Sequence, residues 1–118
     1  MSCLFDTLSS FVDLSSRELR ENICNYLQNN PKLYEDMKAE DYILWNGEGY
    51  KNIKEYIEKM RRTSTWGGAI EIKAFCNMYH IKVIVNGRKK EERVEFLPYI
   101  KSNSKEIEIQ WNGGHYNR

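Results

Sequence analysis

Ile81-Lys82-Val83-Ile84-Val85-Asn86-Gly87 is where the hydrophobic pattern of this chain changes period. Ile81, Val83 and Val85 alternate with Lys82, Ile84 and Asn86, the two-residue repeat of a strand, and Gly87 opens the charged turn Arg88-Lys89-Lys90-Glu91-Glu92-Arg93. Outward towards the C-terminus, Val94 and Phe96 continue the alternation as the second arm of a hairpin. Ile107, Ile109 and Trp111 repeat it in a third strand, which Asn112, Gly113 and Gly114 break. Towards the N-terminus the period is helical. Ile70, Ala74, Phe75, Met78 and Tyr79 form one amphipathic stripe and Tyr50, Ile53, Tyr56, Ile57 and Met60 another, with a loop at 63–68 between them. Ser15 and Glu18 read as a capping box, with Leu14 and Leu19 as its hydrophobic staple, so a helix starts at Ser16 and stops near Asn29, ahead of Pro31. Leu4, Phe5, Leu8, Phe11 and Val12 set a shorter helix at or just beyond Cys3. Residues 33–49 carry no clear period and are expected to be mixed short helix and loop. The expected fold class is α+β, helices packed on a small, mostly antiparallel sheet in one domain spanning 1–118.

The composition narrows the function classes. Eighteen basic and 17 acidic side chains leave a formal charge of +1, so no global field draws the chain to nucleic acid or to an anionic membrane. A 41% hydrophobic and 30% charged balance fits a folded soluble domain. No apolar run approaches a membrane span, and the first residues lack the basic flank and apolar stretch of a signal peptide. The three cysteines, Cys3, Cys24 and Cys76, cannot close a full disulfide framework and fit reduced thiols in a cytosol. Neither they nor His80 and His115 show Cys-x-x-Cys or His-x-x-x-His spacing, so no metal is expected. The mixed-charge run 88–93 reads as a solvated turn rather than a phosphate-binding patch.

A thiol at a helix N-terminus or beside an imidazolium has a depressed pKa, and Cys3 occupies such a place. His115 follows a glycine pair at a strand end, where backbone can approach another segment closely. Asn117, two residues on, could orient the imidazole, giving a Cys-His-Asn set of the kind that recurs on unrelated folds. The bland reading of Cys3 is a small buried hydrophobe, which is the expectation for Cys24 and Cys76 beside Ile23 and Phe75. Trp66-Gly67-Gly68 fits two readings: the wall of a channel for an extended peptide, or a helix-entry loop with a core tryptophan. Glu71, one turn into its helix, reads as a hydrogen-bonded structural residue rather than a catalytic acid, and His80 as a structural helix end.

Three segments decide between these readings. Ser2-Cys3-Leu4-Phe5-Asp6 resembles the nucleophile motif of the ovarian-tumour (OTU) family of cysteine proteases, usually Asp-Gly-x-Cys-Leu-Phe followed by a helix. Trp111-Asn112-Gly113-Gly114-His115-Tyr116-Asn117 resembles the family's last strand and its His-Tyr-Asp/Asn ending. Tyr56-Ile57-Glu58-Lys59-Met60-Arg61-Arg62 and Ser64-Thr65-Trp66-Gly67-Gly68-Ala69-Ile70-Glu71-Ile72 look like its middle signature, and all occur in the family's order. The resemblance implies a papain-type fold and a cofactor-independent deubiquitinase. Cys3 would form an acyl-enzyme with the ubiquitin C-terminus, with His115 as base and Asn117 orienting it. Trp66, Gly67, Gly68, Gly114 and Tyr116 would meet the substrate tail, and the backbone amides of Cys3 and Ser2 would form the oxyanion hole. The implied partners are ubiquitin, polyubiquitin chains or ubiquitin-like modifiers, and the implied form is a compact, viral-sized monomer in the cytosol. The family's Asp-Gly has no counterpart, since only Met1 and Ser2 precede Cys3. The expectation is therefore a weakened oxyanion hole, and the rival reading is a ubiquitin-binding module that does not cut.

Overall fold

Capping chemistry starts the longest helix where the sequence predicts it. Ser15 Oγ accepts from the Glu18 amide and Glu18 Oε1 accepts from the Ser15 amide, both at 3.1 Å, opening α2 at Ser16–Gln28. The structure, a computed structural model, describes residues 3–46 and 49–118. Ahead of α2 lies α1, Cys3–Ser9, whose first residue is Cys3 and whose Thr7 hydroxyl donates to the Cys3 carbonyl at 2.7 Å. Leu4, Phe5 and Leu8 bury one face of α1, and Leu19, Ile23, Cys24 and Leu27 bury one face of α2, so the two stripes pack together.

Residues 33–46 hold more order than their pattern predicts. Strands β1, Lys32–Tyr34, and β2, Met37–Lys38, pair antiparallel as a separate hairpin, and α3, Ala39–Trp45, follows. Asn52 caps α4, Ile53–Met60, by accepting from the Glu55 amide at 2.9 Å, and α5 runs Ala69–Tyr79. Buried Ile70, Ile72, Ala74, Phe75 and Cys76 make α5 the central helix, packed on both α2 and the sheet.

His80 ends α5 in the left-handed region, at φ 53° and ψ 51°, and turns the chain into β3, Ile81–Asn86. After a single 3-10 turn at Lys90–Glu92 come β4, Val94–Phe96, β5, Lys105–Trp111, and β6, Tyr116–Asn117. The spatial order is β4-β3-β5-β6. The β3–β4 hairpin is antiparallel, as expected, and β6 adds a second antiparallel pairing on β5, while the central β3–β5 pairing is parallel, with Val83 opposite Ile107 and Val85 opposite Ile109. Topology explains this. Phe96 sits opposite Val83, so β4 has already carried the chain back, and segment 97–104 needs only to pass the end of β3 to begin β5 opposite Ile81. His80 Nε2 donates to the Asn103 carbonyl at 2.8 Å and lies 3.0 Å from the Ser102 hydroxyl, pinning that crossing, which is the structural role expected for it.

Candidate active site

Two chain ends meet where β6 packs against α1. The contact is closed by Arg118, whose guanidinium lies 4.0 Å above the Phe11 ring. It brings the two candidate catalytic segments together, Cys3 at the start of α1 and His115 immediately before β6. Tyr116, opposite Trp111 on β5, is half-buried against the core and lies within electrostatic reach of Cys3.

Of the three cysteines only Cys3 is partly exposed, while Cys24 and Cys76 are buried. Burial pushes the Cys24 thiol up to about 11 and the Cys76 thiol up to about 12. Both stay protonated at neutral pH and are poor nucleophiles.

The turn carrying His115 is built by Asn112, which the sequence marks only as a strand breaker. Asn112 Oδ1 accepts from the amides of Gly114, at 3.1 Å, and His115, at 2.8 Å, while the Asn112 amide donates to the His115 carbonyl at 3.1 Å. An Asn ahead of Gly-Gly is an Asx-turn signal, and that signal could have marked it. Gly113 adopts φ 99°, a conformation that favours glycine, and a Cβ there would stand 3.2 Å from the exposed Arg88 guanidinium. Arg88 in turn lies 5.8 Å from the Trp111 ring.

The His115 imidazole packs against the Trp66 indole, with ring centroids 5.7 Å apart and an interplanar angle of 40°. Trp66 is 54% exposed, so the core-tryptophan alternative does not hold. A Cβ on Gly67 would sit 2.9 Å from Leu4 Cδ2 and 3.0 Å from the Phe5 ring, so only glycine lets the loop lie directly on α1. Gly68 faces open space and borders a groove of about 590 Å³ whose lining includes Tyr50, Tyr56, Met60, Trp66 and Glu71. A larger hollow, about 850 Å³ between Tyr34, Tyr42, Lys73, Phe96 and Tyr99, contains none of the candidate residues.

Not every expected pairing forms. Among the described residues no hydrogen bond joins the His115 ring to Cys3 or to Asn117. Asn117 is exposed on β6, opposite Gln110. Ser2, the expected second oxyanion donor, lies outside the described residues. Among the described residues no cluster of three His, Cys, Asp or Glu side chains could hold a metal ion.

Beneath the Trp66 loop lies Glu71, 1% exposed. Its Oε1 accepts from the Gly68 amide at 2.7 Å and its Oε2 from the Tyr56 hydroxyl at 2.5 Å, so the residue is hydrogen-bonded as expected. Burial pushes its carboxyl up to about 7 despite these two donors. Arg20, also buried, donates to the Met60 carbonyl at 2.7 Å and lies 4.2 Å above the Phe5 ring, tying α2 and the end of α4 to α1. Neither burial was predicted, because a charged residue reads as exposed until the fold encloses it.

Similarity to known proteins follows the same architecture. The chain is 30% identical over 115 residues to the otu1 protein of Schizosaccharomyces pombe and 27% identical over 121 residues to the ubiquitin thioesterase OTU1 of Rattus norvegicus. Each match covers 98% of this chain and 32% of the relative, so the chain spans about a third of the length of these curated proteins. An OTU domain solved in complex with ubiquitin superposes with a TM-score of 0.70 at 28% identity, covering 97% of this chain and 60% of that one. The viral OTU domain protease of Dera Ghazi Khan virus superposes at 0.67 and 20% identity, covering 97% and 70%, a likeness of fold. The model of the OTU-like cysteine protease family matches residues 2–116, and the chain belongs to that family.

Proposed function

We propose that this chain is a deubiquitinase that hydrolyses the isopeptide bond at the ubiquitin C-terminus through an acyl-enzyme on Cys3. The observation that carries the reading is the α1–β6 contact. It sets the one partly exposed cysteine beside the segment bearing His115 and leaves the other two thiols buried and protonated. The ubiquitin-bound relative, 28% identical over nearly the whole chain, supports ubiquitin as the partner.

In this mechanism the Cys3 thiolate attacks the carbonyl carbon of the ubiquitin terminal glycine, and the Cys3 amide donates to the resulting oxyanion. The His115 imidazolium protonates the departing lysine amine, and water then displaces the thiolate with His115 as base. Asn117 fixes the imidazole tautomer as His115 reaches towards Cys3 with the indole still packed against its ring. Catalytic hydrogen bonds commonly tighten only when substrate is bound, which accounts for their absence here. Trp66, Gly67 and Gly68 form one side of the tail path, with Gly114 and Tyr116 at its end.

The test is reaction with ubiquitin carrying a C-terminal electrophile, read by intact mass and peptide mapping. A single adduct on Cys3 is expected. Cys3→Ala should abolish it, His115→Ala should cost nearly as much in cleavage, and Asn117→Ala less, because members of one catalytic unit are non-additive and the amide only orients. An adduct on Cys24 or Cys76, or tight ubiquitin binding without any adduct, would overturn the reading.

A further inference from the structure

The loop that presents the indole to His115 is thinly anchored. Thr65 is held by its amide on the Arg62 carbonyl, at 3.0 Å, and its hydroxyl on the Lys59 carbonyl, at 2.6 Å. Among the described residues neither Trp66 nor Gly67 makes a hydrogen bond, so the hydrogen bonds that hold this loop are those of Thr65 at one end and Gly68 at the other. Gly68 is fixed by Glu71 alone of the side chains, through a 2.7 Å bond from its amide to a carboxylate that is itself held by Tyr56. Both acceptor oxygens lie in a buried site where water does not compete for them, which strengthens each bond.

We propose that Glu71 is a positioning residue for the reaction at Cys3. Its carboxyl group, clamped between the Gly68 amide and the Tyr56 hydroxyl, holds the Trp66-Gly67 loop down on α1 and so sets the indole against His115. Three elements converge on this one group: α4 through Tyr56, α5 through Glu71 itself, and the loop through Gly68. Tyr116 on β6 lies within electrostatic reach of both Glu71 and Cys3. When the clamp opens, Gly67 is free to lift from Leu4 and Phe5, and the indole lifts with it. The inference rests on the proposed role of Cys3 and His115, but the clamp can be measured without it.

Glu71→Ala, Glu71→Gln and Tyr56→Phe are made in the full chain labelled with 5-fluorotryptophan, with the Trp66 resonance assigned from Trp66→Phe. Three readouts are taken: the ¹⁹F shift of Trp66, the rate of Cys3 alkylation by iodoacetamide, and kcat and KM on a fluorogenic ubiquitin substrate. Glu71→Ala should move and broaden the Trp66 signal and lower kcat by roughly 10–100-fold, the scale of a 1 Å misplacement, with KM changed by less than about threefold. Glu71→Gln, whose amide oxygen can still accept from Gly68, should restore the Trp66 shift and hold kcat within about threefold of the parent. Tyr56→Phe should fall between. If Glu71→Ala does not fold, the Gln and Phe variants carry the test alone. A Trp66 resonance unmoved in a folded Glu71→Ala or Tyr56→Phe chain would overturn the proposal, as would a Gln variant that keeps the Trp66 shift but loses kcat. If the parent has no activity on ubiquitin, the fluorine shift and the alkylation rate still decide whether the clamp sets the loop, separating its failure from that of the deubiquitinase reading.

Discussion

Replacing Gly67 by alanine adds one methyl group at the closest approach in the site. Its Cβ would lie 2.9 Å from Leu4 Cδ2 and 3.0 and 3.2 Å from two carbons of the Phe5 ring. Leu4 and Phe5 are 1% and 0% exposed, so neither side chain can swing into solvent to make room. Overpacking of this kind costs about 1–3 kcal/mol. With an unfolding entropy of roughly 2.1 cal/mol/K per residue, a chain of 118 residues loses about 4 °C in Tm per kcal/mol, giving a drop of about 4–12 °C. The neighbouring Gly68 supplies the control. A Cβ there meets nothing within 4 Å, so Gly68→Ala should cost only the N-cap preference, about 0.5–1 kcal/mol. Relief at Gly67 also requires the loop to lift, carrying Trp66 off His115, so kcat should fall roughly tenfold or more while Gly68→Ala has a smaller effect. Scanning calorimetry and kinetics on the two variants side by side provide the assay. A Gly67→Ala chain that melts within about 1 °C of Gly68→Ala would refute the argument that this contact fixes the loop on α1.

Iodoacetamide at neutral pH should modify Cys3 and spare Cys24 and Cys76 until denaturant is added, as read by peptide mass, because burial keeps those two thiols protonated. Glu71 has its folded carboxyl raised to about 7 from an ordinary 4.5, so the folded state holds the proton more tightly than the unfolded one. Its contribution is full below about pH 4.5 and is lost as pH rises through 7, up to about 3 kcal/mol. Arg20 and Cys24 from α2, Tyr56 from α4 and Tyr116 from β6 face this group, and Glu71→Gln should flatten the fall in urea midpoint between pH 5 and 8. Asn112→Ala removes the acceptor for two amides of an exposed turn. It should cost only about 1 kcal/mol in stability but roughly tenfold or more in kcat, and equal thermal and kinetic insensitivity would count against its role.

What the sequence determined by itself is the part of the fold set within a few residues. The Ser15–Glu18 box, the start of α1 at Cys3, the stripes of α4 and α5 and the alternation of β3 are all local signals; α2, α5 and β3 stand where they put them, while α1 stops at Ser9, short of Phe11 and Val12, and α4 begins at Ile53, past Tyr50. The motifs around Cys3 and His115 likewise named the family before any contact was known. Hairpin β1–β2 was not legible because strands of three and two residues are too short for a two-residue period to register, and only Leu33 marks their buried side. Strand β6 exists only through pairing with β5, and the parallel β3–β5 register depends on where β4 leaves the chain. The burial of Arg20 and Glu71 and the seating of Trp66 on His115 belong to the same class. Periodicity and capping act over three or four positions along the chain, whereas desolvation and ring packing depend on which distant segments arrive at the same point, and only the closed tertiary structure fixes that.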